Sequence, residues 1–254
     1  MADDVWVGAH YCGDRWLAMA FDRDGYASAA VHADVGDLWF ASEDAERVVL
    51  DVPVGLPSEG ANGEVVSDDA GSRRCDRLAR ELLGERGETV ASPPVREAAR
   101  KRRYAVASRA HERRTGRDLS RRAFELRDAV SVLDDLLEEF PDAREVMTAS
   151  HPELAFLAAA DHPAEHDRDT AGGYAERMRA LASIDRDAPP AVQSAAEAAG
   201  GSDVAVADVL DAALLAYTAL PRAGRLRSLP PDPPVDDRGL PKRLVYRSET
   251  PLTE

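Results

Sequence analysis

Three short apolar segments follow one another near the N-terminus with only tight turns between them, and no other feature constrains the fold as strongly. Residues 5–10 (VWVGAH) and 16–21 (WLAMAF) read as strands, joined by Tyr11-Cys12-Gly13-Asp14-Arg15. A weaker third, 26–33 (YASAAVHA), follows the Asp24-Gly25 turn signal. Connections this short suit antiparallel neighbours, so a meander is expected. Asp34 or Asp37 then caps a short helix near 37–46. Residues 47–52 (RVVLDV) follow as a buried strand that stops at Pro53, which cannot donate to a central ladder. A meander, a helical crossover and a further strand predict an α/β fold, a mixed sheet with helices packed on it.

Beyond Pro53, residues 58–72 are polar and Gly-rich, a loop. Ser72 to Leu83 is helical, with Cys75, Leu78, Ala79 and Leu82 on one face and Gly84 and Gly87 ending it. Val130, Leu133, Leu137 and Phe140 mark a core-facing helix that ends before Pro141. Residues 144–149 (REVMTA) read as a fifth strand, and 161–173 as a polar loop with His162, His166 and Gly172-Gly173. A helix is expected from Tyr174 to Ser183, and a short one between Pro189-Pro190 and Gly200-Gly201. Residues 206–220 form the most apolar helix, and Arg243 to Tyr246 an edge strand. The expected organisation is one domain over 1–247, with a helical insertion at about 72–140, and a tail at 248–254.

Charge narrows the setting. Acidic residues number 47 against 32 basic ones, and Lys101 and Lys242 are the only lysines. Ile184 is the only isoleucine. This bias suggests a GC-rich genome and a salt-rich cytoplasm, where a Debye length of ~3 Å at molar salt quiets self-repulsion within a −15 chain. The melting temperature is therefore expected to rise between about 0.1 M and about 3 M KCl, a change that a thermal melt reads directly. No apolar run approaches the ~18 residues that span a bilayer. Met1-Ala2-Asp3-Asp4 is acidic where a signal peptide is basic. Cys12 and Cys75 supply neither a disulfide framework nor paired metal-ligand spacing. A reduced cytoplasmic protein without a membrane partner is the expectation.

Candidate chemistry lies with the acids. Asp51 ends a buried strand, where α/β sites are commonly built. Asp208 and Asp211, at i and i+3, share one face of the apolar last helix, where like charges demand neutralisation and a divalent cation is the economical answer. Ala212 and Ala213 would let that helix approach a sheet closely. The alternative makes Asp208 a first-turn residue favoured by the helix dipole and sets Asp211 on a solvent edge. His151 and Glu153, two apart, would share a face of a strand and line the site. Asp76 reads as a cap or salt-bridge partner, and His162 and His166 as a solvated loop pair. No GxxxxGKS, GxSxG or HExxH is present, which leaves phosphate-loop, serine and zincin hydrolysis without support.

The order of these pieces carries a resemblance. The strand turn, Asp51-Val-Pro-Val-Gly-Leu-Pro57, Arg74-Cys75-Asp76, His151-Pro152-Glu153, Asp208-x-x-Asp211-Ala and Asp237-x-Gly239-Leu240 together resemble the DUF429 family of predicted ribonuclease-H-like nucleases, from Val5 to about Tyr246. The Asp208-x-x-Asp211-Ala helix is also similar to the C-terminal helix of RuvC-type junction resolvases. The resemblance implies a ribonuclease-H-like mixed five-stranded sheet flanked by helices, and the basic helical insertion read from the residues falls between its fourth and fifth strands. It further implies two Mg²⁺ or Mn²⁺ ions ~4 Å apart serving in-line attack of water on a phosphodiester. Asp51, Asp208 and Asp211 match the metal-ligand positions.

The first-strand ligand departs. Where the family pattern reads Gly-Val-Asp-Gly-Cys, this chain has Gly8-Ala9-His10-Tyr11-Cys12. A neutral imidazole brings one nitrogen and no charge, which shifts preference towards Mn²⁺, Zn²⁺ or a single ion. Alternatively His10 pairs directly with Asp51 or Asp208, its pKa raised, or it is a buried histidine in an inactive site. Glu153 and Asp14 are the acids at hand to supply missing charge. The segment Arg96–Arg122 holds eleven basic residues against three acidic ones, a net of +8. Arg100, Arg102, Arg103, Arg113 and Arg114 are its candidates for gripping nucleic-acid phosphates; the other reading is a solvated helix surface that balances acidic neighbours. The expected function is a metal-dependent phosphodiester hydrolase with a degenerate first-strand ligand. The alternative is a non-catalytic descendant that binds nucleic acid or a protein.

Overall fold

The structure, a computed structural model, describes residues 4–57, 72–222 and 224–253. The polar segment expected as a loop over 58–72 lies, except for Ser72, outside the described residues. The chain divides into two compact units: Met1–Asp51, Asp142–Arg227 and Val245–Glu254 form the first, and Val52–Pro141 with Ser228–Leu244 the second. The inserted unit thus begins at Val52 and draws in a late segment.

The first unit opens with the expected meander, β1 (Trp6–Tyr11), β2 (Trp16–Phe21) and β3 (Tyr26–His32), each pair antiparallel. Asp34 caps α1 (Val35–Phe40), its side chain accepting from the Asp37 backbone N–H, and α1 packs on β2 and β3. β4 (Arg47–Leu50) then runs parallel to β1.

The second unit supplies α2 (Arg74–Leu83), α3 (Arg96–Ala99), α4 (Tyr104–Thr115), α5 (Arg121–Glu125) and α6 (Arg127–Glu139). Its guanidinium groups replace apolar filling at several points. Arg73, fully buried, pairs with Asp76 at 2.6 Å and donates to the carbonyls of Val54 (2.8 Å) and Gly55 (3.1 Å). Arg96 joins Asp134 (2.7 Å) to Asp236 (2.8 Å). Asp236 also accepts from the backbone of Leu56 and Leu240, which ties two of the resemblance-bearing segments together structurally.

After α7 (Pro141–Val146), β5 (Met147–Ala149) pairs parallel with β4, and α8 (Pro152–Ala160), α9 (Ala171–Ile184), α10 (Ala188–Ala198) and α11 (Val206–Ala219) follow. β6 (Arg225–Leu229) and β7 (Leu244–Ser248) form a separate two-stranded sheet. The main sheet is five-stranded and mixed, as expected, and its order is β3-β2-β1-β4-β5. Two boundaries differ from expectation because proline is tolerated in a first helical turn, where its missing N–H is not required. Pro141 starts α7 and shortens the fifth strand from 144–149 to three residues, and Pro189-Pro190 lie inside α10.

α11 is the central packing element. It lies against β1, β2 and β4, and α8, α9 and α10 pack on it. Leu17, Met19 and Phe21 of β2 join Leu210, Leu214 and Tyr217 of α11 in one buried core. The contact with β1 is backbone-close, since a Cβ on Gly8 would stand 2.0 Å from the Ala216 nitrogen and 2.5 Å from the Ala212 oxygen. Small residues on both elements permit this approach, and it sets the height at which side chains of α11 stand over β1.

Candidate functional site

The register of β1 against β4 pairs Ala9 with Leu50, so Asp51 emerges beside His10. The Tyr11 N–H donates to Asp51 Oδ1 at 2.9 Å, and His10 Nδ1 lies 2.5 Å from Asp51 Oδ2. On the other side of the ring, Nε2 lies 3.2 Å from Asp208 Oδ1. Asp208 sits in the first turn of α11, where its Oδ2 accepts from the Ala205 N–H at 2.9 Å. Asp211, one turn on, is buried. The solvent-edge alternative for Asp211 is therefore overturned, because α11 turns that face onto the sheet.

Arginines complete the cluster. Arg168 donates to both Asp208 and Asp211, and its Nη1 stands 3.4 Å from His10 Nε2. Arg177, 1% exposed on α9, pairs with Glu153 at 2.6 Å, and its Nε faces Asp211 Oδ1 at 3.7 Å, beyond hydrogen-bond reach. Gly173 holds the Arg168 loop close, since a Cβ there would meet the Asp167 oxygen at 2.0 Å. Neither arginine is distinguishable in the sequence; the polar loop 161–173 and the helix after it carry no spacing that marks them.

Electrostatics follow from this packing. Burial alone would lower the His10 pKa, but the Asp51 charge, hydrogen bonds to Asp208 and Asp51, and the Asp211 charge raise it to about 10. The imidazole is therefore a fixed cation at neutral pH. Burial would raise the Asp208 pKa, yet the hydrogen bond from His10, the Ala205 N–H and the charges of His10 and Arg168 hold it well below the carboxylate range. Complete burial raises Asp211 to about 6 despite Arg168, His10 and Arg177. Burial, with the Asp208 and Asp51 charges, pushes the Cys12 thiol up to about 12.

A family described as "Protein of unknown function (DUF429)" matches residues 4–235, the whole of this cluster included. The chain belongs to the DUF429 family. No curated protein and no solved structure matches it. Within this DUF429 chain, Asp51, Asp208 and Asp211 converge as the resemblance implies, but they converge on cations of the protein itself. His10 spans Asp51 and Asp208, and Arg168 spans Asp208 and Asp211.

Asp51, Asp208 and Asp211 offer oxygens, but His10 brings a nitrogen where a pair of Mg²⁺ ions calls for oxygen ligands in near-octahedral array. Ligand atoms of His10, Cys12 and Asp208 do lie within 4.8 Å of one another, but they offer nitrogen, sulfur and one oxygen. Any added cation there would also meet the charges of His10 and Arg168.

Other candidates fall elsewhere. Glu153 does not end a strand. Pro152 starts α8, the His151 ring caps it by accepting from the Glu153 N–H, and Glu153 lies in the first turn, buried against Arg177. His151 and Glu153 thus do not share a strand face. Asp14 is exposed and paired with Arg15 at 2.7 Å. Asp76 serves the buried ion pair with Arg73, and His166 pairs with Glu176 at 2.7 Å.

In the second unit, Arg113 (3.0 Å) and Arg114 (3.3 Å) both reach Glu97, and Arg100 pairs with Asp135. Arg102 and Arg103 are exposed, with no ion pair among the described residues. Three of the five candidate arginines are thus neutralised in cis. Among the described residues, no helix is long and apolar enough to cross a membrane.

Proposed function

We propose that this chain is a nucleic-acid-binding, non-hydrolysing descendant of the ribonuclease-H-like nucleases. The single observation that carries the reading is the His10 imidazole clasped between Asp51 and Asp208, with Arg168 laid across Asp208 and Asp211. Protein cations stand where metal-dependent hydrolysis requires ions. A His10 that is protonated at neutral pH takes no proton from water, so the imidazole does not serve as a general base. The strand order, with Asp51 after β4 and Asp208 and Asp211 on the helix over β1, supports descent from a ribonuclease-H-like fold. Arg102 and Arg103, exposed and without an ion pair among the described residues, support a phosphate-backbone ligand.

Cleavage and binding assays separate the alternatives. Wild type is expected to leave single- and double-stranded DNA, RNA and junctions intact with Mg²⁺ or Mn²⁺, while binding at least one of them. Arg102→Gln with Arg103→Gln should weaken that binding about tenfold and flatten its log–log salt slope by roughly 2. His10→Asp with Arg168→Ala removes the two cations that touch Asp208 and restores a carboxylate, so this variant should gain Mn²⁺-dependent cleavage and a melting temperature that rises with Mn²⁺. If wild type cleaves with Mg²⁺ or Mn²⁺ and Asp211→Asn abolishes the cleavage, the protein is a hydrolase with Asp51, Asp208 and Asp211 as metal ligands.

A further inference from the structure

Several buried or half-buried guanidinium groups in the second unit have carboxylate partners. Arg73 has Asp76, and Arg96 has Asp134 and Asp236. Arg80 is half-buried, yet its donors go to neutral oxygens only: the Val90 carbonyl (2.9 Å), Ser72 Oγ (3.3 Å) and Ser92 Oγ (2.8 Å). No ion pair to Arg80 is present among the described residues. Three of its five N–H donors are used, so the group is held rigidly with positive charge and donor capacity to spare.

Arg80 lines a cavity of about 350 Å³, together with the donors His111, Arg117 and Arg122 and the carboxylates Glu88 and Asp118. His111, 4% exposed, also lines it. The Val95 N–H donates to His111 Nδ1 at 3.2 Å, and burial keeps the ring neutral by lowering its pKa to about 4. The ring proton therefore sits on Nε2, which has no hydrogen-bond partner among the described residues. Arg117 and Arg122 stand exposed at the cavity without ion pairs among those residues. Exposed Glu88 and Asp118 offset two of the three arginine charges, leaving a net of +1.

We infer that this cavity is a binding site for a phosphate ester, distinct from the cluster at His10 and independent of the function proposed for it. Guanidinium forks and a neutral N–H are matched by an acceptor-rich anion. At ~30 Å³ per water, the volume equals about a dozen waters, room for a phosphate with its sugar. A single net positive charge suits a mono- or diester rather than a polyphosphate. The ester comes from a free mononucleotide or from the end of a nucleic-acid strand.

Isothermal titration of the full chain at one fixed KCl concentration tests this. The probes are inorganic phosphate, a nucleoside 5′-monophosphate, and a short oligonucleotide with and without a 5′-phosphate. Saturable binding of the phosphorylated probes is expected. It should weaken at least about tenfold in Arg117→Gln with Arg122→Gln, whose exposed, unpaired side chains can be changed without unfolding the protein. Equal oligonucleotide affinity with and without the 5′-phosphate assigns the site to free nucleotides; tighter binding of the phosphorylated oligonucleotide than of its unphosphorylated counterpart assigns it to strand ends. No saturable binding of any phosphorylated probe, or wild-type affinity in the Arg117/Arg122 variant, overturns the site.

Discussion

Replacing Gly8 with alanine is expected to destabilise the protein by about 4 kcal/mol or more, enough to remove most of a typical domain's stability. The added Cβ would sit 2.0 Å from the Ala216 nitrogen and 2.5 Å from both the Ala212 oxygen and the Ala216 Cα. All three are main-chain atoms of one helix, so no rotamer change relieves the clash. Either α11 lifts from β1 or the strand bends, and both open the core formed by Leu17, Met19 and Phe21 with Leu210, Leu214 and Tyr217. Close-packed interiors resist such shifts. Lifting α11 also withdraws Asp208 and Asp211 from His10. Gly201→Ala is the control, since a Cβ there meets nothing within 4 Å, and its effect should stay within about 0.5 kcal/mol. Denaturant unfolding of both variants reads the difference. A Gly8→Ala protein with the wild-type midpoint would contradict the close approach of α11 to β1.

His10→Ala is expected to cost about 3–5 kcal/mol at neutral pH, the range for removing one member of a buried ion pair. The loss arises from what remains: Asp51 and Asp208 keep their desolvated positions without the cation between them. The same residue imposes a pH signature. Its folded pKa of about 10 lies above the unfolded value of 6.5, so its stabilisation is complete below about pH 6.5 and is lost as pH rises through about 10. Wild-type stability should therefore decline between about pH 7 and pH 10, and that decline should be absent from His10→Ala. Asp211 acts in the same sense over a lower window. Its pKa is raised from 3.8 to about 6, so its contribution is present below the unfolded value and lost as pH rises through about 6. Unfolding free energies at several pH values resolve the two windows. A wild-type slope that persists in His10→Ala would show that the imidazole is not the cation between the carboxylates.

Much of this was legible from residues alone. The meander, the Asp34 cap, the strand before Pro53 and the apolar last helix all follow from patterns spanning a few residues. The small residues Ala212 and Ala213 forecast close sheet contact, and Gly8 completes it. Asp51, Asp208 and Asp211 were recognisable by position and by resemblance to DUF429. The helix at Pro152 was not, because a proline after a strand reads equally as a break or as a first helical turn, and Glu153 moved from strand to helix with it. The charge of the Arg96–Arg122 segment could be counted, but which of its arginines remain unpaired depends on Glu97 and Asp135.

Strands, turns and caps are fixed by local chemistry, and the amino-acid sequence determined them: alternation, a Gly or Asp at a turn, and a proline that cannot donate each act within a few residues. Which cations meet the carboxylates was decided by the tertiary structure alone. His10 and Asp208 are 198 residues apart, and Arg168 is one arginine among 32 basic residues in a loop without pattern. Packing α11 onto β1 buries Asp211 and brings Asp208 to His10, and desolvation then makes neutralisation obligatory. The identity of the neutralising partner is a property of the folded arrangement, because ion pairing over that separation leaves no periodic trace in the chain.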